Sequence, residues 1–170
     1  REKGLRVRAI LGSHSHNDHS GNHGYYQSLG AEIILPQTEA ALVSDAALLT
    51  SAYWPATARE IAREFPHLLI RSDRSFPQET AGVEIAGRAF CLLPLPGHTP
   101  GHTGIITPDD VLYVGDALLS PDVLHRAKLP PTADWETDLA SKRWLETVSH
   151  SGYLLAHSGI YRDLRPLIDE

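Results

Sequence analysis

The stretch Ser13-His14-Ser15-His16-Asn17-Asp18-His19-Ser20-Gly21 places four metal-ligand side chains within six consecutive positions. Neither one helix face nor one strand face could aim all four at a single point, but a loop could. The preceding residues Leu5–Leu11 alternate apolar and basic side chains, which predicts a strand. We therefore expect these side chains on a loop at the end of a strand, where a rigid scaffold presents functional groups. The four ligand candidates are His14, His16, Asp18 and His19.

Three more ligand-type side chains follow predicted structure further along the chain. His98 lies in the turn-rich stretch 95–104, Asp116 follows the apolar run 111–114, and His157 follows the apolar run 152–156. Seven ligands are too many for one zinc ion, which takes about four. Seven ligands and a shared water suit two metal ions about 3.5–4 Å apart, and a hydroxide between them would be a nucleophile at neutral pH.

The remaining sequence predicts a mixed fold, α+β or α/β, in one domain over residues 1–170. Strands and helices alternate in the first half of the chain, and short strands separated by turn residues in the middle predict hairpins. The clearest helix is capped by Asp134 and is expected to present Leu139, Trp144, Leu145 and Val148 as one apolar stripe. Further strands are expected at 32–36, 68–70, 83–85, 90–93 and 105–107. Helices are expected at 22–30, 38–49, 56–65 (opened by Pro55), 135–148 and 162–168. A loop is expected at 117–131.

Composition limits the partners and the location of the protein. The chain has 170 residues, 42% hydrophobic and 21% charged, with a net charge of −6 and no Lys/Arg cluster, so we expect no nucleic-acid partner. No apolar run is long enough to cross a membrane, and a small-molecule substrate is predicted. The one cysteine, Cys91, lies in an apolar run, which indicates a buried structural thiol and a reducing, cytoplasmic location.

Four segments resemble one known family in the right order. His14-Ser15-His16-Asn17-Asp18-His19 resembles the H-x-H-x-D-H signature of the metallo-β-lactamase superfamily. The segment 96–102 resembles the second metal loop of that family, 114–116 its bridging-acid strand, and 156–158 its final histidine motif. The resemblance extends from residue 5 to the end of the chain.

The resemblance implies a four-layer αβ/βα sandwich. In that family the first strands normally precede the H-x-H-x-D-H loop, whereas only one strand is predicted before it here. The sequence also contains no methionine. We therefore expect a single metallo-β-lactamase-like domain that lacks its N-terminal strands, as the C-terminal segment of a longer protein, and that could pair with a second copy as a homodimer.

The resemblance also implies a role for each matched residue and a pair of divalent metal ions, zinc being expected and iron or manganese being alternatives. Asp18 would in addition orient or deprotonate the attacking water. No substrate-binding residue is identified by the pattern. The first metal would be held by His14, His16 and His98, the second by Asp18, His19 and His157, and Asp116 would bridge both.

The implied reaction is hydrolysis of a small ester, thioester or lactone. A bridging aspartate and the segment Gly-His-Thr-Pro-Gly-His resemble the thioesterase and lactonase branches, although the helical region with which glyoxalase II binds glutathione has no counterpart. A phosphodiesterase of the same fold and an iron-containing oxidoreductase on the same ligands are the alternatives. A non-catalytic binding module would be expected to have lost ligands, and all seven are present.

Other polar residues are expected to be structural. His102 would support its neighbours by donating a hydrogen bond, and His23 would begin a helix. His125, with Arg126 and Lys128, would lie on a surface loop, or alternatively contact a substrate anion. Ser158 stands where the family usually has glycine, which favours a shifted backbone because serine resists a positive φ.

Overall fold

The computed structural model describes residues 4–52, 56–127 and 131–168, and the chain divides into two compact units, residues 1–77 and 78–170. Each unit has its own β-sheet and its own helices, so the fold is mixed α/β, as predicted. Pro55, predicted to open a helix, and Lys128 of the predicted surface loop lie outside the described residues. Among the described helices, none combines the length and the apolar character needed to cross a bilayer.

The N-terminal unit is built on a parallel sheet of three strands, β1 (Ala9–Leu11), β2 (Glu32–Pro36) and β3 (Arg74–Phe76), in that order. The central strand β2 is a continuous apolar run, as buried parallel strands are, and Ile33, Ile34 and Leu35 are fully buried. Strand β1 is shorter than predicted because ladder pairing begins only at Ala9, opposite Glu32. Residues 5–8, whose alternation suggested a longer strand, are exposed.

The predicted helix over 38–49 is two helices in the structure. It is interrupted at Asp45, whose backbone is extended (φ −139°, ψ 127°). Oδ1 of Asp45 accepts hydrogen bonds from the backbone N–H groups of Ala47 and Leu48, at 2.8 and 3.0 Å, and so begins a new helix. The helices of the N-terminal unit are α1 (Asn17–Ser20), α2 (His23–Ser28), α3 (Gln37–Ser44), α4 (Ala46–Ala52) and α5 (Ala58–Glu64).

The strand predicted at 68–70 is wrong. Leu68 ends a 3-10 turn that begins at Pro66, and the backbone N–H of Ile70 donates to the carbonyl of Val43 in α3, so this segment does not join the sheet. Its apolar side chains instead pack into the core of the unit. The third strand comes later, after Asp73, whose carboxylate accepts from the N–H of Ile33 at 2.8 Å.

The C-terminal unit contains a six-stranded sheet in which the strands follow chain order. All neighbouring pairs of strands are antiparallel except one, the parallel pair formed by residues 111–115 and 152–155. The hairpins predicted at 83–93 and 105–114 are confirmed. The strands are β4 (Gly82–Ile85), β5 (Arg88–Pro94), β6 (Thr103–Ile106), β7 (Val111–Gly115), β8 (Gly152–Leu155) and β9 (Gly159–Tyr161), with β7 and β8 parallel.

Three helices accompany this sheet, α6 (Pro121–Ala127), α7 (Trp135–Leu145) and α8 (Arg165–Ile168). The loop predicted over 117–131 is therefore wrong for 121–127. Asp134 caps α7 as predicted, since its Oδ1 accepts from the N–H of Thr137 at 3.0 Å. Both α7 and α8 are shorter than predicted. The core cluster of the unit comprises Leu95, Leu112, Val114, Ala117, Leu118, Leu145, Tyr153, Leu155 and Leu164.

Helix α7 buries a different face from the one predicted. Leu145 is buried, but Leu139 and Trp144 are 48% and 42% exposed. The other buried positions of this helix are the polar residues Asp138 and Ser141. They are buried because the helix passes over a loop, where a bulky apolar side chain would have no room.

The prediction of a buried thiol at Cys91 is also wrong, because Cys91 is exposed. Its two partners across the sheet are Ile106 of β6 and Gly82 of β4, and Gly82 has no side chain to cover the sulfur. The apolar run around Cys91 thus describes a strand near the edge of a sheet rather than a fully buried one.

Asp110 links the β6–β7 turn to the residues that precede β8. Its φ is 62°, and its carboxylate accepts from Nδ1 of His150 at 2.7 Å and from the N–H and the hydroxyl of Ser151, both at 2.8 Å. The hydrogen bond from His150, followed by those from Ser151, lowers the pKa of Asp110 to about 2. The stabilisation is therefore complete above the unfolded-state pKa of about 3.9 and is lost as the pH falls towards 2.

We expect Asp110→Asn to lower the thermal midpoint by a few degrees at pH 6. Asparagine tolerates a positive φ, so the variant removes the charge without adding backbone strain. The difference from wild type should shrink below about pH 4, because the unfolded chain then binds a proton at Asp110 whereas the folded carboxylate, with a pKa of about 2, is still ionised. Thermal melts at pH 6 and pH 3 measure it, with Asp109→Asn, at the adjacent exposed position, as the control. A difference that is the same at both pH values would contradict the assigned role.

Candidate metal centre

The four ligand candidates near the start of the chain are brought together by a change of backbone conformation. His14 and His16 lie in non-helical chain after β1, with His16 at φ −58° and ψ 147°, whereas Asp18 and His19 lie in the short helix α1. The ring centroid of His14 is 5.0 Å from that of His16 and 4.1 Å from that of His19. The transition from extended to helical chain thus lets side chains two and five positions apart converge.

Neighbouring groups orient these side chains. Nδ1 of the buried His14 shares a hydrogen bond of 3.0 Å with the hydroxyl of Ser13, so Nε2 is the ring nitrogen that could bind a metal ion. Nε2 of His19 lies 3.4 Å from Oδ2 of Asp18. The side chain of Asp18 is 52% exposed, so its carboxylate is accessible to solvent as well as to its histidine neighbour.

The ligand candidates of the C-terminal unit meet at one edge of the six-stranded sheet. Asp116 follows β7, and His157 follows β8 after one intervening residue. Because these strands are parallel, both residues leave the sheet at the same edge, and the loop carrying His98 enters antiparallel β6 at that edge too. Oδ2 of Asp116 lies 3.6 Å from Nε2 of His98 and 3.2 Å from Nε2 of His157.

The donor atoms in each unit suit a divalent metal ion. Imidazole nitrogen and carboxylate oxygen are donors for zinc, iron and manganese. Two ligands on one tetrahedral zinc are about 3.3 Å apart, given bonds of about 2.0–2.1 Å. The contacts of Asp116 with His98 and His157, at 3.6 and 3.2 Å, fall on either side of that spacing. The separation of Asp18 and His19, 3.4 Å, is also close to it.

The backbone of the loop that carries His98 is fixed by a glycine. Gly97 has a φ of 128°, and a Cβ built on it would lie 2.2 Å from Cα of Asp138 in α7. The carbonyl of Gly97 accepts from the N–H groups of Ala133 and Asp134, and the hydroxyl of Ser141 donates to the carbonyl of Pro96 at 2.6 Å. Helix α7 therefore holds the loop that presents His98.

His102 supports the bridging-acid candidate, but in a different sense from the one predicted. Its Nε2 accepts a hydrogen bond from the backbone N–H of Asp116 at 3.2 Å rather than donating one. Its own carbonyl accepts from the side-chain amide of Gln78 at 3.2 Å, and the histidine is fully buried. An imidazole that accepts at Nε2 carries its proton on Nδ1, so this contact fixes the tautomer of His102.

Ser158 does not require the backbone strain that the sequence suggested. The positive φ at this turn, 98°, is carried by the next residue, Gly159. The hydroxyl of Ser158 donates to that of Ser120 at 2.8 Å and accepts from the N–H of Ser120 at 3.3 Å. The serine thus ties the chain that follows β8 to the chain that follows Asp116.

The other histidines have structural settings. His23 is the first residue of α2, as predicted, and burial, with a smaller contribution from His19, lowers its pKa to about 4, so it is neutral at pH 7. His125 lies in α6 rather than on a loop and is exposed, with Nδ1 2.8 Å from the carbonyl of Pro121. Glu39 was not among the residues predicted from the sequence. It is a fully buried carboxylate in the first turn of α3 and binds Ser15, which lies between His14 and His16. The signal in the sequence was the spacing of Glu39 and Val43, because residues four positions apart lie on the same face of a helix and Val43 is buried.

Residues 1–157 match the family profile described as the metallo-beta-lactamase superfamily, and the chain belongs to that family. Among curated relatives, it is 30% identical over 124 residues to a hydroxyacylglutathione hydrolase of Vibrio campbellii, covering 68% of the chain and 35% of that protein. It is also 40% identical over 72 residues to hydroxyacylglutathione hydrolase GloC of Haemophilus influenzae, covering 42% of the chain and 33% of that protein. The matched part therefore spans about a third of the length of these relatives.

Solved structures confirm the predicted fold. A metallo-beta-lactamase family protein from Thermus thermophilus is similar with a TM-score of 0.71 and 24% identity, covering 99% of this chain and 61% of that one. A metallo-beta-lactamase from Pontibacter korlensis is similar with a TM-score of 0.67 and 16% identity, covering 96% and 66%.

Proposed function

We propose that this protein is a dinuclear metal-dependent hydrolase of a small ester, thioester or lactone. The carrying observation is the position of Asp116, whose Oδ2 lies within 3.6 Å of both His98 and His157. The family resemblance assigns these two histidines to different metal ions, and a carboxylate oxygen between them suits a bridging ligand. In the proposal the first ion is held by His14, His16 and His98, the second by Asp18, His19 and His157, and Asp116 bridges both.

The chemistry of such a centre is ester or thioester hydrolysis. When bound, two such ions supply Lewis acidity and water with a pKa near 7. Water adds its oxygen to the acyl carbon, the bond from that carbon to the leaving oxygen or sulfur breaks, and the water proton ends on the leaving group. Asp18 has a half-exposed carboxylate beside His19, which suits it to orient the attacking water and to take up its proton.

The choice among substrates rests on the curated relatives, whose names describe hydrolysis of an acylglutathione, a thioester. From these relatives we take only the class of bond that is hydrolysed. The proposal further includes zinc as the resident metal, a small-molecule substrate without nucleic-acid or membrane partners, a cytoplasmic location and a homodimer. Size-exclusion chromatography of the protein would test the last point, since a stable monomer contradicts it.

Metal content followed by a substrate panel tests the function. We expect about two zinc ions per chain and turnover of a thioester, an ester or a lactone that is lost on chelation and restored by zinc. Preferential cleavage of a phosphodiester would favour the phosphodiesterase alternative, and bound iron with redox-active spectra would favour the oxidoreductase. His157→Ala should abolish turnover, whereas His67→Ala, at an exposed position in the 3-10 turn, should not.

A further inference from the structure

Glu39 is a charged side chain buried completely inside the N-terminal unit. It lies in the first turn of α3 and has no exposed surface. Its Oε2 accepts a hydrogen bond from the backbone N–H of Ser15 at 2.9 Å and a second, short one from the hydroxyl of Ser15. Burying a carboxylate is costly unless it is hydrogen-bonded, and the two hydrogen bonds from Ser15 offset that cost.

Ser15 makes three hydrogen bonds with two side chains. Glu39 binds its N–H and its hydroxyl, and the hydroxyl of Ser20 donates to its carbonyl at 3.0 Å. Ser20 is the last residue of α1, the helix that carries Asp18 and His19. The peptide units on both sides of Ser15 are therefore fixed, one by α3 and the other by α1.

The clamped residue lies between two metal-ligand candidates. His14 and His16 flank Ser15 directly, and in extended chain side chains alternate, so Ser15 is directed away from its two neighbours. A carboxylate that binds Ser15 thus fixes the backbone from behind while leaving both imidazoles unobstructed. The carboxylate also lies at the N-terminus of α3, where the helix dipole favours a negative charge.

We propose that Glu39 is a positioning residue for the metal centre, acting through Ser15 to set the spacing of His14 and His16. This inference rests on the proposed function. Glu39 does not touch the metal or the substrate; it reduces the reorganisation that the two histidines need when metal binds. Outer residues that orient metal ligands typically change metal affinity by about 10–100-fold when they are replaced.

The test is the metal affinity of the apo-protein, measured by competition with a chromophoric chelator. Glu39→Ala should weaken zinc binding by about 10–100-fold. Glu39→Gln keeps an oxygen that can accept from Ser15, so it should restore part of the affinity. Ser15→Ala, which removes only the hydroxyl contact, provides a mild variant should Glu39→Ala fail to fold. The visible spectrum of the cobalt-loaded protein should change in Glu39→Ala, because the geometry of two ligands changes.

A matched control lies in the same unit. Oε2 of Glu60 accepts from the N–H and the hydroxyl of Thr57, at 2.7 and 2.8 Å, which is the same pair of contacts in the cap of α5. Glu60→Ala should lower thermal stability but leave zinc affinity within about twofold, since α5 carries no ligand candidate. Wild-type zinc affinity in both Glu39→Ala and Ser15→Ala would overturn the inference while leaving the proposed function intact. If the wild-type protein bound no metal, both the inference and the proposed function would fail.

Discussion

Replacing Asp116 by alanine is expected to reduce hydrolysis by at least about 100-fold, because residues that merely orient a metal ligand already cost about 10–100-fold. The side chain of Asp116 is 8% exposed, and its Oδ2 contacts both His98 and His157. Removal of the Asp116 carboxylate leaves the imidazoles of His98 and His157 beside a cavity that contains no negative charge. We expect the metal content to fall from about two ions to about one, because a bridging ligand belongs to both sites.

The fold should survive this substitution. The backbone N–H of Asp116 donates to His102, and that contact does not involve the side chain that is removed. Metal analysis, steady-state kinetics with a thioester and circular dichroism of the same preparation measure the three effects. Asp122→Ala, at an exposed acid in α6, is the control for loss of a carboxylate. Undiminished kcat/KM with two ions bound in Asp116→Ala would rule out Asp116 as the ligand that both ions share.

Gly97→Ala is expected to lower Tm by roughly 4–24 °C, or to prevent folding. Its Cβ would lie 2.2 Å from Cα and 2.3 Å from N of Asp138, backbone atoms that cannot rotate aside. A positive φ on a non-glycine residue costs about 1–3 kcal/mol, overpacking adds about 1–3 kcal/mol, and each kcal/mol corresponds to about 2–4 °C in a chain of this size. Relief requires the loop to move away from α7, which would displace His98.

Gly87→Ala separates these two costs. Gly87 also has a positive φ, 76°, but a Cβ built there meets no atom within 4 Å. This control therefore has the backbone strain without the collision, and its Tm should fall by only a few degrees. Thermal melts and zinc affinity of both variants are the measurements. If Gly97→Ala were as stable as Gly87→Ala and bound zinc equally well, the close approach of α7 would not be holding the metal loop.

Local sequence patterns predicted the elements whose structure depends on neighbouring residues. The apolar run at 32–36 becomes strand β2 with the predicted bounds, and the turn at Asp110 joins the predicted hairpin. Asp134 begins α7 because capping involves only the next three residues. Where a competing local contact was overlooked, the prediction failed, as at Asp45, whose side chain starts a second helix.

Patterns were less informative about burial, because burial depends on which element packs against which. Leu139 and Trp144 looked like a core stripe, yet α7 buries Asp138 and Ser141 against the loop at Gly97. Cys91 lies in an apolar run but is exposed, since Gly82 lies opposite it. Hydrophobicity read along one strand or helix cannot report the side chain on its neighbour.

For the candidate metal centre, the sequence alone indicated the ligand candidates and their order, because three histidines and an aspartate within six positions serve no purpose in capping a helix. The assignment of all seven ligands and of the catalytic role of Asp18 stays a prediction. Only the tertiary structure placed Oδ2 of Asp116 between His98 and His157 and put Glu39 behind Ser15. These contacts join residues far apart in the chain, and such pairings are decided by strand order and helix packing, which no local pattern encodes.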